Sequence, residues 1–371
     1  MIITLLIRNM MKSNILFSGL LRRMDMKHIE NRVSFRILWI VLLLALSGLL
    51  VASFVCGRYT SVSIKNIPLV LLRSIFSEIP QTWTQTEAAV ILEFRFPRIM
   101  ASILVGASLA MSGAAYQVLF SNPVASPDTL GVSNGASFGA VIGILLGASS
   151  FGVKISAFFA GCIVIMMVYV LAHLLGEEKL SISYLLLVGM IISSVFSGLL
   201  SVLKYVADPE SQLPQITYWL MGSFSNVSRS DLGYVVLFFV LGAVPLAFLR
   251  WRINLLELDV NEAKTIGVNI IGLRATVILC ATLLTASSTA ITGGISWVGL
   301  FIPHIARMLV GNDFRHVLPI SALLGAIFLL TMDDLARMIS VNELPISVLT
   351  SIIGAPVFFM IISAKRRMHR L

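Results

Sequence analysis

Apolar residues run through this chain in blocks of about 20, separated by short breaks rich in Pro, Gly, Lys and Arg. A membrane helix needs about 20 mostly apolar residues, so each block reads as a span. Ten are predicted, at 37–56, 98–120, 129–147, 152–175, 182–206, 232–250, 270–291, 295–311, 317–338 and 346–364. The eighth is the shortest. No sustained alternation of apolar and polar positions argues for a barrel, and helices satisfy their own backbone groups in lipid. The predicted class is therefore all-α, a polytopic membrane bundle of about ten transmembrane helices.

Composition closes off the alternatives. Hydrophobic residues make up 57% of the 371 and charged ones 12%, against about 25% charged in a soluble domain. The net charge of +9 does not point to nucleic acid, because the basic residues cluster at the termini and in short loops. Arg22, Arg23, Lys27, Arg32 and Arg36 precede the first span, and Lys365, Arg366, Arg367 and Arg370 follow the last. With ten spans both termini share one side, which the positive-inside rule makes cytoplasmic. Residues 1–36 are expected to form a basic, loosely ordered cytoplasmic arm, or to lie partly ahead of a true start at Met24 or Met26. Residues 37–371 form the transmembrane domain. Arg95, Arg98 and Arg337 fall on the outer side, against the rule. The bland readings for them are snorkelling to lipid headgroups, or a pair between Arg337 and Asp334. Cys56, Cys162 and Cys280 sit in apolar segments without CxxC spacing and read as small buried hydrophobes.

Several polar stretches carry local chemistry. In "GASLAMSGAAYQ" (106–117), Gly106, Ala110, Gly113 and Ala114 lie near one helix face, which lets a neighbouring helix approach closely. In "SNPVASPDTLG" (121–131), Pro123 and Pro127 end a helix, and Asp128 or Thr129 can cap the next. In "LELDVNEAKTIGVN" (256–269), Asp259 and Glu262 can cap a short helix that Gly267 stops. In "ITGGISWVGLFIPHIARMLVGNDFRHVLP" (291–319), Gly293 and Gly294 permit a sharp turn, and Pro303 bends or shortens the eighth helix. His304 is expected to bond a carbonyl freed by that bend. No second His, Cys or carboxylate stands at metal-ligand spacing, so no metal site is expected. No stretch matches GxxxxGK[ST], so any ATP is hydrolysed by another subunit.

Six stretches together resemble the FecCD-type permeases, the membrane subunits of ATP-binding-cassette importers for ferric siderophores, haem and vitamin B12. They are "RFPRIMASILVGASLAMSGAAYQVLFSNPVASPDTLGVSNGASFG" (95–139), "YWLMGSF" (218–224), "EAKTIGV" (262–268), "GGISWVGLFIPHIARMLVGNDFRHVLPISALLGA" (293–326), "DLAR" (334–337) and "ELPISVLTSIIGAPVF" (343–358). They run in family order over most of the chain from about residue 90. The resemblance implies the type II importer fold, with ten helices per subunit and two subunits around a central pathway. It implies a second permease copy or paralogue, ATP-binding-cassette ATPase subunits that use ATP and Mg²⁺, and an external substrate-binding protein. No cofactor is implied for this chain. Carried over residue by residue, Asn122, Val124 and Ser183 would form the cytoplasmic gate. Glu262, Ala263, Lys264, Thr265, Ile266 and Gly267 would form the helix that seats in the ATPase. Arg95, Arg98 and Arg337 would receive acidic residues of the substrate-binding protein. The implied location is the inner membrane of a prokaryote. The implied cargo is an iron complex, siderophore or haem, with vitamin B12 as alternative.

The competing class is an ion-coupled secondary transporter, which usually carries a carboxylate deep in the bundle. Asp128, Asp333, Asp334 and Glu343 all fall near predicted helix ends, and no span centre holds an acid. No nucleophile–base pair suggests a membrane enzyme.

Overall fold

The computed structural model describes residues 35–57, 63–74, 76, 80–175, 182–257, 268–339 and 343–368, all of them helical or in connections. In chain order the α-helices are α1 (Phe35–Val55), α2 (Asn66–Arg73), α3 (Gln85–Ala89), α4 (Phe96–Leu119), α5 (Val132–Leu145), α6 (Ser150–Leu175) and α7 (Ile182–Val206). Then follow α8 (Gln212–Leu220), α9 (Arg229–Ile253), α10 (Ile270–Thr292), α11 (Val298–Val310), α12 (Phe314–Ile339) and α13 (Ile346–Met368). A π-helical stretch, Val90–Arg95, joins α3 to α4, and 3₁₀ turns span Pro127–Leu130 and Asn254–Glu257. Among the described residues, seven helices are long and apolar enough to cross a membrane; α5, α11 and the Ile346–Ile361 part of α13 are shorter apolar helices. Together they match the ten predicted spans in place and order.

The chain divides into Met1–Leu44 and Ala45–Leu371, a boundary that falls inside α1. The described part of the first unit is the opening of α1, with Ile37, Ile40, Val41, Leu43 and Leu44 exposed. In the second unit α4 is central and packs on α9, α10, α11 and α12, while α5 packs on α6 and α7. Sequence explains this division. The α4 span is 83% buried because its residues are small; α7 is 17% buried and turns bulky apolar side chains outward. Such a surface is at home against lipid or another apolar chain.

The small-residue face of α4 makes the contacts its spacing predicts. A methyl group added to Gly106 would overlap the Gly325 carbonyl of α12, and one on Gly325 would overlap that of Gly106. Gly113 meets Gly299 of α11 in the same way. Backbones touch at both crossings, so any larger residue must push helices apart. Ser112 adds a polar tie to α10, donating to the Ala281 carbonyl at 2.9 Å and lying 2.7 Å from the Thr285 hydroxyl.

The eighth span is a short helix entered by irregular backbone. α10 ends at Thr292, and Gly293 takes φ 77°, where a side chain would collide with the Trp219 carbonyl. Residues 294–297 are not helical, and Trp297 itself sits at φ 75°. The 13 residues of α11 rise only about 20 Å, short of a bilayer core of about 30 Å. Irregular backbone at such depth is tolerated where protein surrounds it.

Candidate functional site

One end of the bundle holds a neutralised ionic cluster. Thr84 opens α3 with a capping box: its hydroxyl accepts from the Glu87 N–H, and the Glu87 carboxylate accepts from the Thr84 N–H at 3.0 Å. The helix then widens through Val90–Arg95 and tightens again at Phe96, with Pro97, which has no N–H to donate, directly after the wide turn. Arg98 follows. Its Nε lies 2.9 and 3.0 Å from the two oxygens of Asp333, its Nη2 2.8 Å from Oδ1 of the same carboxylate, and its Nη1 2.9 Å from Glu343.

Arg337, one turn beyond Asp333 on α12, reaches Asp333 through Nε at 3.3 Å and pairs with Asp334. Ser53 of α1 ties this together, donating to Asp334 at 2.7 Å and accepting from Arg337 at 2.8 Å. Arg95 donates to the Phe54 carbonyl. The three arginines are 5%, 9% and 8% exposed for Arg95, Arg98 and Arg337, and Asp333 is fully buried. The guanidinium groups of Arg98 and Arg337 face three carboxylates, Asp333, Asp334 and Glu343, so the charge of these two arginines is satisfied inside the chain, while Arg95 is held by a backbone carbonyl. This geometry differs from the headgroup-snorkelling reading, and it contains the Arg337–Asp334 pair allowed from sequence. Ser53 was not singled out from sequence, because a lone Ser in an apolar span carries no pattern.

The opposite end of α4 leads into the 121–131 loop. Ser121 takes φ 47°, and Asn122 then closes a turn: its Oδ1 accepts from the Val124 N–H at 3.0 Å, and its carbonyl from the Ala125 N–H at 3.1 Å. Asn122 and Val124 thus share one turn, with the Val124 side chain exposed. The loop ends against the middle of α7, where Gly189 packs on Leu130 and Asn134 donates to Ser193 Oγ at 2.7 Å. Ser183 stands exposed in the first turn of α7, six residues before Gly189, or about 9 Å along the helix. Residues 262–267, the expected coupling helix, lie outside the described residues.

The chain leading into that segment is tied down. Asn254, just after α9, donates to Asp313 at 2.8 Å and accepts from the Phe314 N–H at 2.8 Å. Asp313 also binds Arg315, with Nε–O distances of 2.8 and 3.0 Å. The Arg315 guanidinium holds the Asp313 carboxyl well below the usual carboxylate range, with the Asn254 amide helping. Asn254 therefore joins α9 to α12, a role its sequence context did not reveal.

Gln117 was likewise unread from sequence. In a helix the Gly299 carbonyl would accept from the N–H of residue 303, which is a proline and has none. Gln117 Nε2, buried on α4, lies 3.4 Å from the Gly299 carbonyl and 2.9 Å from that of Leu300. His304, expected to serve such a carbonyl, stacks edge-on against Phe358 of α13 at 6.0 Å.

Residues 43–364 match the FecCD transport family. The chain belongs to this family. It is 40% identical over 318 residues to the molybdate import system permease protein MolB of Haemophilus influenzae, covering 85% of this chain and 92% of that one. It is 32% identical over 326 residues to the ferric enterobactin transport system permease protein FepD of Escherichia coli, covering 87% and 96%. Among solved structures it resembles an inward-facing transporter described as of the metal-chelate type, with 38% identity and a TM-score of 0.79 over 89% of this chain and 99% of that one. The fold is thus that of an importer permease, and the chain is a multi-pass membrane protein of the transport class.

Proposed function

We propose that this chain is the membrane-spanning permease subunit of an ATP-binding-cassette importer that carries an iron complex, a siderophore or haem, across the cytoplasmic membrane. The observation that carries the reading is the family match over 43–364, together with the similarity to a metal-chelate-type transporter. Under it the chain pairs with a second permease copy or paralogue and receives cargo from an external substrate-binding protein. A separate ATPase subunit uses ATP and Mg²⁺, since this chain has no phosphate-binding loop of the Walker type. The Arg98 end faces outward, the termini and the Asp313 end face the cytoplasm, and Glu262–Gly267 seats in the ATPase. Asn122, Val124 and Ser183 belong to the cytoplasmic gate.

The ionic cluster gives the docking role of Arg95, Arg98 and Arg337 a specific form. Glu343 is 24% exposed, against none for Asp333. A receptor carboxylate that reaches Arg98 therefore displaces Glu343 and leaves the buried Asp333 pair in place. Charged contacts of this kind set encounter rate and register.

The test is uptake into proteoliposomes holding the chain with its partner ATPase and substrate-binding protein. Radiolabelled ferric siderophore, haem, cobalamin and molybdate are supplied in parallel. ATP-dependent uptake of an iron complex is expected, and none without the ATPase. Uptake driven by ATP with the permease alone would overturn the reading. Molybdate uptake without iron-complex uptake would establish the second reading, which the 40% identity to a molybdate permease favours.

A further inference from the structure

A groove of about 180 Å³ runs between α6 and α9, with α10 as its floor. Two aromatic contacts bridge α6 to α9 along it. Phe151 meets Tyr234 with ring centroids 5.3 Å apart, and Phe158 meets Phe238 at 4.3 Å. Ala290 of α10 keeps the floor low. The mouth opens sideways past Ile155 and Phe159, which are 39% and 58% exposed. An α-helix, about 10–12 Å across with its side chains, is too wide for such a slot. A single hydrocarbon chain is not.

The polar end of the groove narrows the choice of occupant. Lys154 Nζ donates to Asp231 Oδ2 at 2.6 Å and closes the groove there, with side chains 14% and 6% exposed. Two residues before Asp231, Arg229 lies 3.8 Å from Glu93, and both are more than half exposed. Two cations and two carboxylates thus stand at this end with no net charge. Asp231 is in the first turn of α9, so the charged end lies at the boundary of the span. Phe238, seven residues on, is about 10 Å deeper. A zwitterionic headgroup matches this pattern, its phosphate facing Lys154 and Arg229 and its ammonium facing Asp231 and Glu93. An anionic headgroup would meet both carboxylates with no ammonium to offer them.

The geometry points to a structural lipid site: one acyl chain of a phosphatidylethanolamine-type phospholipid seated between α6 and α9, its headgroup over the Lys154–Asp231 pair. The site stands independently of the transported cargo.

Photo-crosslinking of the full chain in phosphatidylglycerol vesicles tests it. A trace of phosphatidylethanolamine carrying a photoreactive acyl chain is compared with the same probe on a phosphatidylglycerol headgroup. Peptides bearing Phe158, Phe159 and Tyr234 are expected to label severalfold more strongly with the first probe than with the second. Unlabelled phosphatidylethanolamine should compete at these peptides at a lower fraction than at the exposed Val195 face of α7. Ile155→Trp, which fills the mouth from its exposed side, should lower groove labelling and spare the Val195 face. Equal labelling of both faces with either headgroup would overturn the proposal. So would groove labelling that unlabelled phosphatidylethanolamine fails to lower, a result that needs only the wild-type chain.

Discussion

Replacing Arg98 with methionine removes a guanidinium from a place where water cannot substitute for it. Asp333 is fully buried and accepts from Arg98 at 2.8–3.0 Å, while its second partner, Arg337, stands farther away at 3.3 Å. Methionine keeps much of the stem volume, so packing changes little. The loss is therefore that of one member of a buried pair, about 3–5 kcal/mol. The Glu343 arm adds little, because Glu343 is partly exposed and such pairs give about 0–1 kcal/mol. At about 1.4 kcal/mol per decade, the ratio of folded to unfolded chain should drop by roughly two to three and a half decades. Denaturant unfolding in mixed micelles reads this directly, with linear extrapolation from a common slope. A double-mutant cycle supplies the control. Asp333→Leu alone should also destabilise, because it strips Arg98 of its acceptor and both Arg98 and Arg337 of a shared counter-charge. Arg98→Met with Asp333→Leu should recover part of the loss, because the buried carboxylate that lacked its partner is gone. A single Arg98→Met variant within about 1 kcal/mol of wild type would refute the reasoning. So would additive losses in the cycle.

Three further outcomes follow from the same structure. Gln117→Leu leaves the Gly299 carbonyl beside Pro303 without its donor and should cost about 1–3 kcal/mol in the same unfolding assay. Gly106→Val should destabilise by about 1–3 kcal/mol or more by forcing α4 from α12, whereas Gly198→Ala on α7, with open space around it, should be neutral or stabilising. Asp313, with its carboxyl held low by Arg315, should stabilise the folded chain above about pH 4 and lose that contribution as pH falls through its depressed folded value. Asp313→Asn should flatten that acid limb of the stability profile, and an unchanged limb would remove Asp313 from the account.

The positions of the spans were legible because lipid imposes a length and a composition that soluble folds lack. The close crossings of α4 were legible for a related reason. Gly106 and Gly113 have no side chain, and small residues at helical spacing announce backbone contact. Pairings between distant elements were not legible. Nothing local to Ser53, Asn254 or Gln117 names a partner 281, 59 or 182 residues away. Their roles come from helix adjacency, which a span pattern leaves open. Arg98 lies between these cases. Its place at a helix start was readable, and its unusual position against the positive-inside rule marked it. Its burial was not, because the carboxylates that neutralise it arrive from α12 and from the turn before α13.

This arrangement constrains how the two ends of the bundle can move. From Arg98 to Leu119, α4 is one uninterrupted rod of about 32 Å. It is keyed to α12 at Gly106–Gly325 and to α11 at Gly113–Gly299, with backbone against backbone at both points. Such contacts leave no side-chain layer that could slide or repack, and packed interiors respond to strain by shifting as units. Displacing α4 against α12 would also pull Arg98 from Asp333, since both pairs join the same two helices. The first turn of the 121–131 loop is fixed to this rod by the bond from the Asn122 N–H to the Gln117 carbonyl, 3.0 Å long. If the loop gates as proposed, its relative motion comes from the other side, where α7 is mostly exposed and holds the loop through Asn134 and Ser193. Elements with few buried contacts are those that open at low cost. On that proposal the rod that carries Arg98 and anchors Asn122 is the fixed frame, and α7, which carries Ser183, is the part that shifts against it.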